Sequence, residues 1–413
     1  MIPRERIAPL LCLSCLLLTV TSAAAQYETP GDRSAKAILG TATVKGAAYR
    51  INEIVPTDGY TDRWTVDSDH GRFEVNGDGA LRKLLFEIHA IGELKKTSKT
   101  KAFAQGLASS AKAPFSFVRS LVTYPVDTVS GIPKGAYGLV ENLATSVTET
   151  RNPAEDPRYA QALRMSSYKR DLASKLNVDV YSSNTELQKH LNSVAWAATL
   201  GDWALLTAML PGGTGGSVVS NVLMVNSLRN VLKEEPPHRL RIINDEKLTA
   251  MGINEDLRKR FLDNQQFTPT HMTIITANLE RLGSLTGLDA FLAVASHAQD
   301  ETQANFYMAM AQVLRGFHET VAPLTGLIPI NRFVVAQTKT GQALVALPVD
   351  RLLWLDRVDL VSARLKSQYA PPGFNGTFDL WITGTASPLA KQQMAARGFT
   401  VTENVGSKVE VID

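Results

Sequence analysis

The spacing of apolar positions changes character along the chain, and each change predicts a different kind of element. From Thr41 to Val75 the chain reads AAYRINEIV, DRWTV and GRFEV, separated by PTDGY and DSDHG. Short runs broken by Asp and Gly predict strands, the second and third joined as a hairpin. Leu81, Leu84, Leu85, Ile88 and Ile91 then recur at helical spacing, predicting a helix over about Ala80 to Lys96 with His89 beside its apolar stripe. Residues 185 to 233 are the most hydrophobic stretch after the first 25: TELQKHLNSVAWAATLGDWALLTAML, then PGGTGG, then SVVSNVLMVNSLRNVLK. They predict two helical arms folded back on one another. Ser183, three residues before Glu186, has the capping-box spacing, and Pro211 with its glycines ends the first arm.

Between Phe103 and Val147 a three-position pattern returns every 11 residues: Pro114, Val118, Leu121, then Pro125, Val129, Ile132, then Ala136, Val140, Leu143. Eleven residues make three turns at about 3.67 per turn, so the apolar stripe stays on one side. Pro125, Gly131, Pro133, Gly135 and Gly138 divide so long a helix into short segments. The spacing is similar to the 11-residue amphipathic repeats of apolipoprotein-type and lipid-droplet coat proteins. That resemblance implies a segment able to lie on a lipid or apolar surface, with Pro114, Val118, Leu121, Pro125, Val129, Ile132, Val140 and Leu143 as contact positions. The competing reading is that the segment wraps over a core made by later helices. The two arms of 185 to 233 likewise resemble the hydrophobic hairpin of pore-forming bacteriocins. Leu191 to Leu210 is long enough to span a bilayer. Asp202 near its middle would cost about 2.5 to 3.5 kcal/mol there, which favours a buried core helix.

The polar connector TETRNPAEDPR, residues 148 to 158, marks a domain boundary. Beyond it a helix is expected from about Ala160 to Leu176. After EEPPHR come shorter ones: Asp245 to Met251, Glu255 to Asp263, Pro269 to Leu282 with Thr268 as its cap, Leu288 to His297, and Glu301 to Val321. From Ile328 the pattern changes again. RFVVAQ, TKTG and QALVALPV predict a hairpin with a turn glycine. FDLWITG, SPLAKQQMAARG and FTVTENV predict strand, helix and parallel strand, with Ser387 and Pro388 starting the helix and Gly398 stopping it. The fold class expected is α+β and predominantly helical. It comprises a β-rich module over 26–97, the amphipathic segment over 98–150, a helical domain over 151–327 and a C-terminal α/β unit over 328–413.

Composition adds a location. Arg4 and Arg6, the apolar run Ile7 to Val20 and then SAAAQ form the three-region pattern of a secretory signal peptide, with cleavage expected after Ala25. Both cysteines, Cys12 and Cys15, lie within it, so the mature chain is expected to hold no disulfide, thiolate metal site or cysteine nucleophile. Of 413 residues, 43 are basic and 40 acidic, a near balance that supplies no electrostatic footprint for nucleic acid.

Candidate chemistry is sparse. No G-x-S-x-G occurs, and PGGTGG lacks the lysine and following Ser or Thr of a phosphate-binding loop. Asp67, Asp69, Asn76 and Asp78 suit turns better than a calcium loop, because the glycine and final glutamate of such a loop are misplaced. His271, His297, Asp300, His318 and Glu319 are the metal-ligand candidates, brought from packed helices, although no HExxH or His-x-His spacing links them. The expectation is an exported, non-enzymatic envelope protein, periplasmic or extracellular. It would contact a membrane surface or an envelope protein through the segment from Phe103 to Val147, with no cofactor, no nucleic acid and no substrate indicated. A metal-dependent hydrolase using the histidines, and a membrane-inserting protein using 187 to 233, are the alternatives.

Overall fold

The computed structural model describes residues 27–98, 100, 157–200 and 222–409. The segment from Phe103 to Val147, the PGGTGG connector and the signal-like start therefore lie outside the described residues. The chain is α+β and mostly helical, as its periodicity predicts.

The N-terminal module begins with β1 (Arg33–Ser34), α1 (Ala35–Leu39), β2 (Tyr49–Ile51) and β3 (Ile54–Val55), then β4 (Arg63–Ser68) and β5 (Gly71–Asn76). β1 pairs antiparallel with β3, and β2, β4 and β5 form an antiparallel sheet whose β4–β5 hairpin turns at Asp69 and His70. Period-two alternation drives Trp64 and Val66 to the same face of β4, both fully buried. Leu81, Leu84 and Ile88 of α2 (Asp78–Ser98) cover them. The stripe continues along α2: Ala90, Ile91 and Leu94 enter a second core with α3 (Pro157–Lys175) and α4 (Thr185–Leu200). One helix thus serves two cores.

α4 opens one residue later than its sequence suggests. Asn184 Oδ1 accepts from the Glu186 and Leu187 backbone N–H groups at 3.1 and 3.2 Å, while Ser183 turns outward to donate to Glu301 at 2.7 Å. Asn184 stands immediately before the first helical residue, where a cap reaches these donors, and Ser183 does not. α5 (Val222–Glu234) is followed by α6 (Pro237–Ala250), which starts eight residues before the expected Asp245 because Pro236 and Pro237 take its N-cap and first-turn positions.

α7 (Glu255–Leu262), α8 (Pro269–Arg281), α9 (Leu288–Ala295) and α10 (Glu301–Thr320) follow with boundaries close to those expected. Thr268 caps α8 with Pro269 just inside it. Every side chain from His271 to Leu279 of α8 is buried.

The C-terminal sheet runs β12-β10-β8-β7-β6, built from β6 (Leu324–Ile330), β7 (Phe333–Thr338), β8 (Ala343–Leu347), β10 (Phe378–Ile382) and β12 (Phe399–Thr402). β6, β7 and β8 are antiparallel, and β8, β10 and β12 are parallel. The parallel steps cross through α11 (Asp356–Gln368) and α12 (Pro388–Ala396), and a short parallel pair, β9 (Arg351–Leu352) with β11 (Thr385–Ala386), lies beside the sheet. Alternation sorts the two faces. Val334, Ala336, Leu344, Ala346 and Trp381 join the core of α6 to α10, with Phe317 and Trp381 ring centroids 4.8 Å apart. Val335, Ala343, Val345, Leu380 and Ile382 join that of α11 and α12.

The N-terminal module docks on this sheet through backbone. Asp350 N–H donates to the Tyr60 carbonyl at 2.8 Å, Leu353 N–H to the Gly59 carbonyl at 3.1 Å, and the Arg357 guanidinium lies over the Tyr60 ring. Gly384 fixes the loop between the strands: a Cβ there would meet the Asp350 carbonyl oxygen at 1.9 Å. Gly384→Ala should therefore lower unfolding free energy by about 2 kcal/mol or more, through displacement of the 349–351 backbone. Gly406→Ala, where a Cβ meets open space, should stay within about 0.5 kcal/mol. Urea unfolding of both variants checks the pair, and equal losses would contradict the steric assignment.

Candidate carboxylate centre

Three aspartates from distant parts of the chain meet where the N-terminal module docks. Each offers one carboxylate oxygen, and these oxygens lie within 4.8 Å of one another. Asp62 enters β4 after a tight turn in which Asp58 Oδ1 accepts from Tyr60 and Thr61 N–H. Asp78 is the first residue of α2, and its Oδ1 accepts from Trp64 Nε1 at 3.0 Å. Asp350 sits between β8 and β9, its carbonyl accepting from Thr385 N–H at 3.1 Å.

The Asp350 carboxylate holds the other two in place. Its Oδ2 accepts from Asp62 N–H at 2.8 Å and its Oδ1 from Asp78 N–H at 3.0 Å, so it also caps α2 across 272 residues of chain. Asp62 is fully buried. Its Oδ2 pairs with Arg33 Nη1, while its Oδ1 has no hydrogen-bond partner. An unpaired buried carboxylate oxygen is expensive, so this one marks a place where positive charge is wanted.

The titration behaviour agrees. Burial first, and the neighbouring Asp78 carboxylate second, push Asp350 up to about 7. Burial also raises Asp62, against the pull of Arg33. Three carboxylates this close do not all ionise without a proton or a cation among them. An all-oxygen, carboxylate-rich set suits the hard ions calcium, magnesium and manganese.

An open depression of about 500 Å³ borders the centre, with Thr29, Arg33, Thr57 and Arg351 in its wall. Arg33 belongs to both, since it lines the depression and contacts Asp62.

No protein-family model, curated protein or solved structure matches this chain.

The histidines singled out from sequence lie elsewhere. His271 is buried at the start of α8, where Nδ1 accepts from Thr268 N–H at 3.0 Å and Nε2 stands 2.8 Å from Asn305 Oδ1. His297 is exposed beyond α9. Asp300 caps α10 through Gln303 N–H, His318 Nδ1 accepts from Leu324 N–H, and Glu319 pairs with Arg281 and Arg315. His271, Asp300, His318 and Glu319 are engaged locally, and the group within ligating distance among the described residues is instead Asp62, Asp78 and Asp350. Of the turn carboxylates near the hairpin, Asp78 joins the centre, while Asp67 faces Arg72 on the surface. The lipid-contact positions from Pro114 to Leu143 lie outside the described residues.

A second polar cluster is fully committed to packing. Glu87, raised by burial against the pull of Lys83, accepts from Ser182 at 2.5 Å and Asn184 at 2.8 Å, and Asp179 accepts from Thr270 at 2.7 Å.

The elevated Asp350 gives a pH signature. The folded protein keeps a proton there that the unfolded chain releases near the ordinary aspartate value. In chelated buffer this stabilisation is complete below about pH 4 and is lost as pH rises through about 7. Unfolding free energy should therefore fall between about pH 4 and pH 7, by a few kcal/mol at most at about 1.4 kcal/mol per unit. Asp350→Asn should flatten that slope, and a variant with the wild-type slope would assign it to another group.

Proposed function

We propose that this protein binds a hard divalent cation at Asp62, Asp78 and Asp350, and that the ion fastens the N-terminal module to the C-terminal sheet of an exported, non-enzymatic protein. The observation that supports this reading is the buried, unpartnered Asp62 Oδ1 inside a three-carboxylate cluster. The cation does for Asp62 and Asp350 what protons and Arg33 do without it: it supplies the counter-charge that lets all the carboxylates ionise. Because the ligands come from residues 62, 78 and 350, binding closes a very long loop and so favours the folded state. Calcium, magnesium or manganese at 100 times its dissociation constant should add about 2.7 kcal/mol of stability. Asp78→Asn should remove that gain. Calorimetric titration at about pH 8, with thermal unfolding alongside, tests it, and no heat and no shift with any of the three ions would end the proposal.

A second reading has its own support. The 11-residue period from Pro114 to Leu143 favours contact with a lipid surface or an envelope partner. Pro125, Gly131, Pro133, Gly135 and Gly138 divide the segment into short pieces, so this contact is proposed as peripheral. The mature protein should float with anionic liposomes. Val118, Val129 and Val140 changed together to Asp should lose most of the floated fraction, and wild-type protein that stays at the bottom of the gradient would rule the contact out.

A further inference from the structure

We propose that Arg33 and Arg351 form a clamp for a soluble phosphate monoester in the depression beside the carboxylate centre, and that this ester and the cation strengthen one another's binding. The inference rests on the cation reading above. Arg351 is half-buried in the wall of the depression and makes no ion pair among the described residues. Its charge falls on Asp62 without reaching ion-pair distance, so the donors of its guanidinium stay free for an anion in the depression. Arg33 engages Asp62 through Nη1 alone, which leaves most of its planar fork of donors unused. Two forks facing one depression match the oxygens of a phosphate better than a point charge would.

Two carboxylates share the wall with the arginines. Glu28 is held in place, its Oε2 accepting from Trp354 N–H and Ser387 Oγ, each at 2.5 Å, and Asp32 is exposed to solvent at the rim. The depression, about 500 Å³, has room for a small phosphate ester.

The coupling follows from Arg33 being shared. Without a cation, Arg33 is the counter-charge of Asp62. With a cation on the carboxylates, that demand falls, and the guanidinium can turn its donors to the depression. A phosphate that draws Arg33 away returns the favour by leaving Asp62 more negative for the cation. Reciprocity requires both affinities to change by the same factor.

Phenyl phosphate titrated into the full chain, with and without calcium, magnesium or manganese, tests the proposal. The cation should tighten the ester by about fivefold or more, and the ester should tighten the cation equally. Arg351→Gln should abolish ester binding and, with one positive charge fewer acting on Asp62, hold the cation no more weakly, whereas Arg33→Gln should tighten the cation in the absence of ester and erase the coupling. Cation affinity that phenyl phosphate does not alter overturns the clamp while leaving the cation site intact. Ester binding that survives Arg351→Gln overturns it too. Failure of every cation to bind the wild-type protein removes the reading beneath it.

Discussion

A single carboxylate, that of Asp350, takes the backbone N–H groups of Asp62 and Asp78 on its two oxygens, and the arrangement of the molecule depends on that junction. When that carboxylate is ionised, hydrogen bonds to it contribute about 1.5 to 3 kcal/mol each. The partners here are the first turn of α2 and the entry to β4, so the carboxylate sets both the start of a helix and the register of a sheet. It meets the helix at its positive end, where a negative group is favoured. The same placement buries the carboxylates beside one another; burial first and the Asp78 charge second raise Asp350, and Asp62 Oδ1 is left without a partner.

What the junction transmits is carried by elements that belong to two neighbours at once. α2 gives Leu81, Leu84 and Ile88 to the N-terminal sheet and Ala90, Ile91 and Leu94 to α3 and α4. The five-stranded sheet gives one face to the α6–α10 layer and the other to α11 and α12. Moving α2 therefore disturbs two apolar cores, and displacing β8 or β10 disturbs two others. Such sharing makes the docking of the modules cooperative, because no interface can loosen without exposing apolar surface on both sides of the shared element.

Much of this architecture was legible in the chain. The β4–β5 hairpin, α2, and the β10-α12-β12 unit with Ser387, Pro388 and Gly398 at its punctuation all announce themselves through period and caps. β6 did not, since LTGLIPI carries a glycine and a proline that argue against a strand. The structure accommodates both at a sheet edge, with an irregular register between Leu324 and Gly326. α11 escaped notice because it buries little, chiefly Val358, Ser362 and Leu365, and Leu355 before it supplies no side-chain cap. The carboxylate centre was illegible for a different reason. Asp62 and Asp350 are 288 residues apart, and no local spacing relates them. His271 and Glu319, by contrast, looked like ligands in one dimension, yet each is consumed by a cap or an arginine in three.

The order in which ribosomes make the chain gives the contacts of Tyr27 and Glu28 a further meaning. Glu28 hydrogen-bonds Trp354, 326 positions onward, and Ser387, 359 positions onward, while Tyr27 reaches Asp359. Residues 27 and 28 thus wait for residues 354 to 387 before they find their partners. Contacts between such remote positions form slowly, because loop closure must precede any reward. The amino-terminal module consequently completes its contacts only once residues 350 to 387 are available, and until then its edge strands and unsatisfied carboxylates stay open to any chaperone that meets the growing polypeptide.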